Sequence, residues 1–370
     1  MMPVLPLPRL VFGAGALASL HGELTLLGVR RPLLLSDRGL ERAGAVAVAA
    51  RVLPPGAAQH LDVPENPTLT GADAAFAAYR AASCDGIVAL GGGSVLDTAK
   101  FVAALAGGGP ASAADMQGKP ERIGLDVAPL VAIPTTVGTG SESSPVAALH
   151  DVPGGPAVGT RSPRLVPRVA ICDPDLARTL PRRLVAATGI DALSHCIEGF
   201  FSEPANPIID ALALDGMARA HTAITAAVAG DDAARSELMA AAFAGGAAIH
   251  KGLGPAHAVA LACGDQDLHH GVLVAAALPY TVALVEPHAP AKADRVAAAL
   301  GLPGGGAAIA DALRALGAAL GLPAGYREAG YRAASTDALV EAMAASPFNR
   351  ASPYKPTVSD YRAILAALLA

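Results

Sequence analysis

The chain has 370 residues, of which 52% are hydrophobic, and a formal net charge of −5 at pH 7. This length accommodates two domains of ordinary size with sizeable cores. Lys and Arg are scattered and Trp is absent, so nucleic acid is not expected as a partner. We read no apolar run of the roughly 18–20 residues that a membrane span needs and no basic start of a signal peptide. A cytoplasmic protein that does not enter a membrane is expected.

The first half of the chain alternates short apolar runs with Ala-rich segments of helical spacing. Strands are predicted at 31–37, 85–90, 129–136 and 168–174, with helices at 38–52 and from Ser94 onward. This alternation predicts a mostly parallel sheet covered by helices. Ligands bind such sheets at the carboxyl ends of the strands, which lie here near Asp37, Gly91 and Thr135.

The second half has a different pattern. From about Leu180 the strand signal disappears, and Ala- and Leu-rich helical segments are interrupted by Gly and Pro at 204–207, 252–255, 302–306 and 322–325. We therefore predict an α/β domain with a parallel sheet over 1–178 and an all-α domain over 179–370. The main small-molecule cleft is expected between them.

A glycine-rich loop follows the predicted strand at 85–90. Gly91, Gly92, Gly93 and Ser94 are candidate phosphate ligands, because glycines let backbone N–H groups approach a pyrophosphate and a helix N-terminus favours an anion. The competing interpretation is an ordinary strand-to-helix turn with Ser94 as N-cap. The loop is neither GxGxxG nor a Walker motif.

Two further strand ends strengthen the nucleotide interpretation. Asp37 is placed to accept from ribose hydroxyls and to disfavour a 2′-phosphate, which favours NAD over NADP, although a plain cap aspartate also fits. The run IPTTVGTGSESS at 133–144 is unusually rich in hydroxyl groups. Contacts with the pyrophosphate or the nicotinamide ribose are expected from Thr135, Thr136, Ser141 and Ser144.

A histidine constellation lies in the second half. Asp191 and His195 are four residues apart in a helical pattern, so both side chains project from one face and form half of a divalent metal site. His257 and His270 would supply two more nitrogens from later segments. Each histidine has an alternative role as a hydrogen-bonded core or cap residue, and His269 and His270 cannot both be assumed to be ligands.

Motifs spread over most of the chain are similar to those of one family, and their order makes the match specific. They are FGAG (12–15), ENP (65–67), GGGSxxDTAK (91–100), IPTTxGTGSE (133–142), SPRLVPRVAICDPDL (162–176), LPxxLxAxTGIDALSHCIEG (180–199), ANPIIDALAL (205–214) and HG before LPY (270–280). The chain resembles the iron-containing, group III alcohol dehydrogenases of the dehydroquinate synthase-like superfamily.

The resemblance implies an N-terminal dinucleotide-binding domain, a helical metal- and substrate-binding domain, and a homodimer or larger assembly. It implies a catalytic metal held by Asp191, His195, His257 and His270, the last preferred over His269 because the family's final ligand precedes a glycine. The ligand set does not choose between iron and zinc. The matched motifs extend the cofactor-binding set to Asn66, Asp97 and Leu176.

Three departures from the family pattern bear on mechanism. Leu261 stands where many relatives have a histidine suited to proton relay, which leaves His269, with Asp265 or Asp267 nearby, as a substitute or as an exposed loop residue. Ala157 replaces a frequent lysine near the cofactor. The interval from His257 to His270 is one residue shorter than usual, and its polar GDQDLH loop favours a small polar or anionic substrate.

The sequence therefore predicts a metal-dependent, NAD(P)-linked oxidoreductase. It would transfer hydride between nicotinamide and a small aldehyde or alcohol, with NADH favoured and phosphonoacetaldehyde as one possible type of substrate. Alternatives are a maleylacetate reductase-like enzyme acting on an unsaturated keto-dicarboxylate, a dehydroquinate synthase-type lyase, and a degenerate member that only binds nucleotide. A lyase would need a dense basic set for a phosphate-bearing substrate, and KGLGPAH supplies few such residues.

Overall fold

The computed structural model describes residues 6–370 except 109, 154, 156, 267 and 334. The described residues up to Leu180 form one compact unit, and Pro181–Ala370 form a second. The first unit is α/β and the second is helical, which confirms the predicted fold class. The boundary after residue 178 and the cleft between the halves stay predictions.

The described part of the first unit contains eight strands: β1 (Arg9–Phe12), β2 (Pro32–Leu35), β3 (Ala58–His60), β4 (Gly86–Gly91), β5 (Leu130–Pro134), β6 (Val146–His150), β7 (Ala157–Arg161) and β8 (Val169–Cys172). Six of them form a sheet in the order β1-β8-β5-β4-β2-β3, and each of its pairings is parallel. The carboxyl ends of β2, β4, β5 and β8 therefore lie along one edge.

The central strands are apolar throughout because both faces of the sheet are covered. Leu34, Val88 and Ile133 belong to one buried cluster, whereas their sequence neighbours Leu33 and Ile87 belong to the cluster on the other face. Side chains alternate between the faces along each strand, so a doubly covered strand reads as a continuous apolar run. This is the signal that predicted β2, β4, β5 and β8.

The helices of the first unit are α1 (Leu20–Leu26), α2 (Arg38–Arg42), α3 (Ala45–Ala50), α4 (Leu69–Ala81), α5 (Gly93–Ala106) and α6 (Ala113–Met116). The single helix predicted over 38–52 is wrong, because Gly44 adopts a left-handed conformation with φ +85° and separates α2 from α3. A left-handed residue cannot continue a right-handed helix.

Four strands were not predicted from the sequence. β1 and β3 are edge strands of three or four residues with little burial, so they carry no continuous apolar run. β6 and β7 form a separate antiparallel pair with Ala148 opposite Gly159.

The second unit contains the helices α7 (Arg182–Phe201), α8 (Pro207–Ala229), α9 (Asp232–Ala248), α10 (Pro255–Ala262), α11 (His270–Val285), α12 (Pro290–Ala299), α13 (Ile309–Ala319), α14 (Thr336–Ala345) and α15 (Val358–Leu368). Glycines bring three of them close together. A Cβ on Gly216 of α8 would lie 2.7 Å from Cys196 Sγ of α7, and one on Gly245 of α9 would lie 2.9 Å from His195 Cβ. Close packing of this kind encloses α7 and fixes the side chains on it.

Two helices of the second unit are long and apolar enough, by length and composition, to cross a membrane. They are Arg182–Phe201 and His270–His288, and 94% and 56% of their most apolar windows are buried inside the structure. The first contains Asp191 and His195 among its apolar residues. A buried core helix of a folded protein passes the same test, so the two helices are weak evidence for a membrane.

Candidate metal centre and cofactor-binding loops

Asp191 and His195 lie one turn apart on α7, as their spacing predicts. Asp191 Oδ1 is 3.6 Å from His195 Nε2, and both side chains are 6% exposed. The remainder of the helix is almost entirely buried. A carboxyl group in such a place needs compensating partners, and nitrogens of three histidines face Oδ1 at 3.6–3.9 Å, beyond hydrogen-bond distance.

His257 and His270 reach the same carboxyl oxygen from two other helices. His257 lies in the first turn of α10 with Nε2 3.7 Å from Asp191 Oδ1, and His270 begins α11 with Nε2 3.9 Å away. The rings of His195 and His257 are stacked with centroids 4.8 Å apart. All four predicted ligands thus converge within the helical unit.

The donor set fits a divalent metal. Ligand atoms of Asp191, His257 and His270 lie within 4.8 Å of one another, and buried Asp191 Oδ1 and His257 Nε2 have no hydrogen-bond partner among the described residues. Atoms bound at 2.0–2.2 Å to a tetrahedral ion stand about 3.4 Å apart, slightly less than the separations in this structure. A cation between these atoms would satisfy both orphaned groups.

Glu198 was not predicted from the sequence, and it fixes the orientation of His257. It lies near the end of α7, where its Oε2 accepts from His257 Nδ1 at 2.5 Å and from Gly254 N at 3.0 Å, while Oε1 accepts from Ala256 N at 2.7 Å. The bond to Nδ1 directs Nε2 toward Asp191. A carboxyl group behind a metal-binding histidine is the usual outer-shell arrangement. The glutamate of the motif HCIEG could therefore have been recognised from the sequence as a candidate partner of a metal ligand.

The charges in this cluster shift the pKa values of its members. Burial opposes ionisation of Asp191, but His195, His257 and His270 outweigh it and hold its pKa below the usual range. Burial also disfavours the charged form of His257, yet Asp191 and Glu198 raise its pKa to about 9. Desolvation of the ring and the neighbouring histidines lower the pKa of His270. Asp191 is thus anionic and His270 neutral near pH 7.

His269 lies beside this cluster in sequence and caps a helix in the structure. It is the N-cap of α11, and its Nδ1 accepts from Gly271 N at 3.2 Å. Leu261 is on α10 and is half-buried. Asp267 lies outside the described residues, and the assignment of His269 as a proton relay stays a prediction.

The glycine-rich loop joins β4 to α5, which begins at Gly93 with Gly92 as N-cap. The alternative of Ser94 as N-cap is therefore wrong. A Cβ on Gly91 would lie 2.5 Å from Val95 Cγ2, and one on Gly92 would lie 3.1 Å from Thr136 Cγ2. Gly91 thus allows β4 to end close to α5, and Gly92 allows the loop to pack against the segment that follows β5, where Thr135 N donates to Gly91 O at 3.1 Å.

One face of α5 ties the predicted cofactor-binding segments together. Ser94 Oγ donates to Glu65 O in the ENP loop. Asp97 accepts from Ser141 Oγ at 2.5 Å and from Ala148 N at 2.8 Å. Both carboxyl oxygens of Asp97 are thus engaged with other parts of the chain, which favours a positioning role for this residue.

Lys100 and Glu142 extend this network and were given no role from the sequence. Lys100 Nζ donates to Ser144 O at 3.1 Å and to Val146 O at 2.6 Å. Burial lowers the pKa of Lys100 to about 8 and raises that of Glu142 to about 7. Lys100 ends the motif DTAK and Glu142 ends the motif GSE. The sequence thus marks both residues as part of family motifs but does not indicate that their side chains are buried.

The remaining predicted cofactor residues are dispersed over the first unit. Asp37 ends the β2 segment as the N-cap of α2, where Oδ1 accepts from Leu40 N at 2.9 Å. Thr136 Oγ1 is buried and has no hydrogen-bond partner among the described residues. Asn66 is half-buried next to Glu65, and Leu176 packs against a core cluster. Their contacts with a cofactor stay predictions.

Comparison with known proteins identifies the class that this fold and site define. The family model for iron-containing alcohol dehydrogenase matches residues 8–174, and the model for the C-terminal part of the Fe-containing alcohol dehydrogenase family matches 185–369. The chain belongs to the iron-containing alcohol dehydrogenase family and is an oxidoreductase of that type. The predicted family is confirmed.

Individual relatives cover almost the whole chain. A 4-hydroxybutyrate dehydrogenase of Cupriavidus necator is 39% identical over 95% of both chains, and an NAD-dependent methanol dehydrogenase of Bacillus methanolicus is 31% identical over 97% of both. The crystal structure of sulfoacetaldehyde reductase from Bifidobacterium kashiwanohense in complex with NAD+ matches with a TM-score of 0.91 and 26% identity, over 100% of this chain and 99% of that one.

Proposed function

We propose that this chain is a metal-dependent, NAD(H)-linked alcohol dehydrogenase or aldehyde reductase acting on a small aldehyde or alcohol with a distal anionic group. The observation that carries the proposal is the convergence of three histidine nitrogens on Asp191 Oδ1 at 3.6–3.9 Å. We assign the residues up to 178 to dinucleotide binding and 179–370 to metal and substrate binding.

Asp191, His195, His257 and His270 are the proposed ligands of iron or zinc. Bound there, the ion would supply Lewis-acid polarisation of the substrate oxygen during hydride transfer. Asp191 provides the negative charge of the site, and Glu198 keeps Nε2 of His257 directed inward. The chain's own residues thus prearrange the donors before the metal binds.

His269 is the proposed group for moving a proton. Its Nδ1 accepts from Gly271 N, so the neutral ring carries its proton on Nε2. Leu261 has no titratable group and cannot replace it. Replacing His269 should therefore lower kcat and alter its pH profile, while metal content stays near wild type.

An NAD preference is proposed from Asp37, which lies just after β2 at the carboxyl edge of the sheet. The names of two relatives point the same way, since one is called NAD-dependent and the other was solved with NAD+. Gly91, Gly92 and Gly93 with the N-terminus of α5 are the proposed pyrophosphate site.

The anionic substrate is proposed from relatives whose names include 4-hydroxybutyrate and sulfoacetaldehyde. The polar loop before His270 adds no support for an anionic substrate, because its Gln266 side chain bonds to the backbone of Arg332. One polar group of the loop is therefore engaged within the chain.

The test is metal analysis of purified protein together with NADH oxidation against short aldehydes. The panel compares 4-oxobutanoate, sulfoacetaldehyde and phosphonoacetaldehyde with propanal and butanal. We expect about one metal ion per chain and a higher kcat/KM for the anionic members. Equal kcat/KM for charged and neutral aldehydes would refute the substrate class, and metal-free protein with full activity would refute the metal centre.

His270→Ala and His269→Ala form a matched pair for the ligand assignment. Loss of a ligand should reduce metal affinity by at least about 100-fold, the upper range for loss of an outer-shell partner. The His269 variant should keep its metal. Loss of metal from the His269 variant with metal retained in the His270 variant would make His269 the ligand instead of His270.

A homodimer or larger assembly is proposed as the working form. β1 lies at the edge of the sheet with Leu10 43% and Phe12 41% exposed, and an apolar edge strand offers a place for a second copy. Sedimentation equilibrium should give at least twice the 36.7 kDa chain mass. A monomer at micromolar concentration would refute this assembly.

A further inference from the structure

The ligand His270 is held differently from His257. His257 is buried and fixed by Glu198. In contrast, the His270 side chain is 40% exposed, and His270 begins α11 after a loop of which residues 263–266 and 268–269 are described. The position of His270 therefore depends on what holds this loop and the first turn of α11.

The Gln266 side-chain amide ties the described part of the loop to residue 332. Gln266 Nε2 donates to Arg332 O at 2.7 Å, and Gln266 Oε1 accepts from Arg332 N at 3.0 Å. Two opposed hydrogen bonds to one residue fix both the distance and the orientation of the amide, much as paired strands fix each other. This contact lies four residues before His270.

The first turn of α11 is held by the same distant segment. Tyr326 is fully buried, and its hydroxyl donates to Leu273 O at 3.0 Å, three residues after His270. Tyr331 is also buried and hydrogen-bonds to Cys263 at the start of the loop. The rings of Tyr326 and Tyr331 pack edge to face with centroids 5.9 Å apart. His270 is thus bracketed on both sides.

This segment, residues 325–332, is itself anchored to the last helix. Tyr326 N donates to Leu368 O at 2.7 Å, and Tyr331 N donates to Tyr326 O at 2.8 Å. A Cβ on Gly325 would lie 2.7 Å from Leu368 O, so the close approach requires glycine there. A folded turn docked on α15 is a rigid support.

We propose that residues 325–332 form a positioning clamp that sets the distance of His270 from Asp191 and thereby tunes the metal affinity of the site. The inference rests on the proposed metal centre. The positioning residues are Tyr326 of the clamp and Gln266 of the loop that it binds, and neither needs to contact the metal, the cofactor or the substrate. The clamp makes the C-terminal helix part of the support of the metal site.

The test compares three variants of the clamp contacts with two control variants. Gln266→Ala removes both bonds to Arg332, and Gln266→Glu keeps an acceptor for Arg332 N but loses the donor to Arg332 O. Arg332→Ala is the matched control, since it retains the backbone groups that Gln266 uses. Tyr326→Phe removes only the hydroxyl. Its control is Tyr354→Phe, whose hydroxyl bonds to Asp360 in the first turn of α15, at the opposite end of that helix from the clamp contact at Leu368.

Metal affinity is measured by competition with a chelator, with zinc and ferrous iron as the probes. Gln266→Ala should lower affinity about tenfold, the lower range for outer-shell groups, with Gln266→Glu between it and wild type. Saturating metal should restore kcat with KM unchanged. Both control variants should match wild type. Unchanged affinity in Gln266→Ala and Tyr326→Phe, or an equal loss in Arg332→Ala, would overturn the proposal.

Hydrogen exchange of the metal-free proteins separates this inference from the proposed function. Amides 270–273 should exchange faster in Gln266→Ala and Tyr326→Phe than in wild type or either control, because the first turn of α11 opens more often. Unchanged exchange there would refute the clamp. A wild-type chain that binds neither metal would refute the metal centre, and with it the affinity effect assigned to the clamp.

Discussion

Replacing Glu198 tests how the metal centre is prearranged. Its carboxyl group accepts three hydrogen bonds, from Gly254 N, Ala256 N and His257 Nδ1. Glu198→Ala would leave two buried backbone donors without partners, at about 1–3 kcal/mol each, and would free the His257 ring. The metal-free protein should therefore lose about 2–6 kcal/mol of unfolding free energy.

Glu198→Gln tests the effect on metal binding with almost no change in side-chain volume. An amide of the same shape has only one acceptor oxygen, so its NH2 group must face donors that the carboxyl group satisfies. If that NH2 faces His257, the ring must accept at Nδ1 and carry its proton on Nε2, the nitrogen directed at Asp191. A protonated nitrogen cannot bind a metal. We expect metal affinity to fall about 10- to 100-fold.

The measurements are chelator competition for affinity and thermal unfolding of the metal-free protein for stability. Glu203→Gln is the control, since Glu203 is exposed and forms a surface ion pair with Lys355, a contact worth little in water. The control should keep wild-type affinity. If Glu198→Gln binds metal within twofold of wild type, Glu198 does not set the tautomer of His257 and the reasoning fails.

Three other predictions concern pH, cofactor choice and the cofactor loops. The pKa of His257 is raised to about 9 in the folded chain, so its proton stabilises the metal-free protein fully below about pH 6.5. That stability should be lost as pH rises through 9, whereas metal affinity should rise over the same interval. Thermal unfolding and chelator titration from pH 6 to 9.5 measure the two trends, and a stability or an affinity that does not change with pH would contradict them. Asp37→Ser retains a helix cap but removes the charge, so the NADPH/NADH ratio of kcat/KM should increase at nearly constant thermal stability; an unchanged ratio would deny Asp37 its ribose role. Asp97→Asn weakens the ties to Ser141 and Ala148, so KM for NADH should rise several-fold with little change in kcat, and a drop in kcat alone would argue against a positioning role.

The sequence predicted the central strands because burial on both faces leaves a local signal. β2, β4, β5 and β8 are apolar at every position or nearly so. β1 and β3 gave no such signal, since an edge strand of three or four residues buries little surface. Gly44 shows the same limit for helices, because a single glycine can either continue a helix or break it, and the choice depends on packing elsewhere.

The metal ligands were predictable to different degrees. Asp191 and His195 have a spacing that places them on one helix face whatever the rest of the fold does. The choice of His270 over His269 rested on the glycine after it, and the structure places His270 beside Asp191 and His269 at the cap of α11. The ligand assignments themselves stay predictions until metal is measured.

The sequence by itself determined the α/β and helical halves, the one-turn pairing of Asp191 with His195, and the family. Periodicity and motif order are local properties that one chain displays directly. Only the tertiary structure placed Glu198 behind His257, assigned Asp97 to Ser141 and Ala148, and brought Gln266 to Arg332 across 66 residues of chain. These roles depend on which buried donors meet which acceptors, and that pairing is decided when the helices pack.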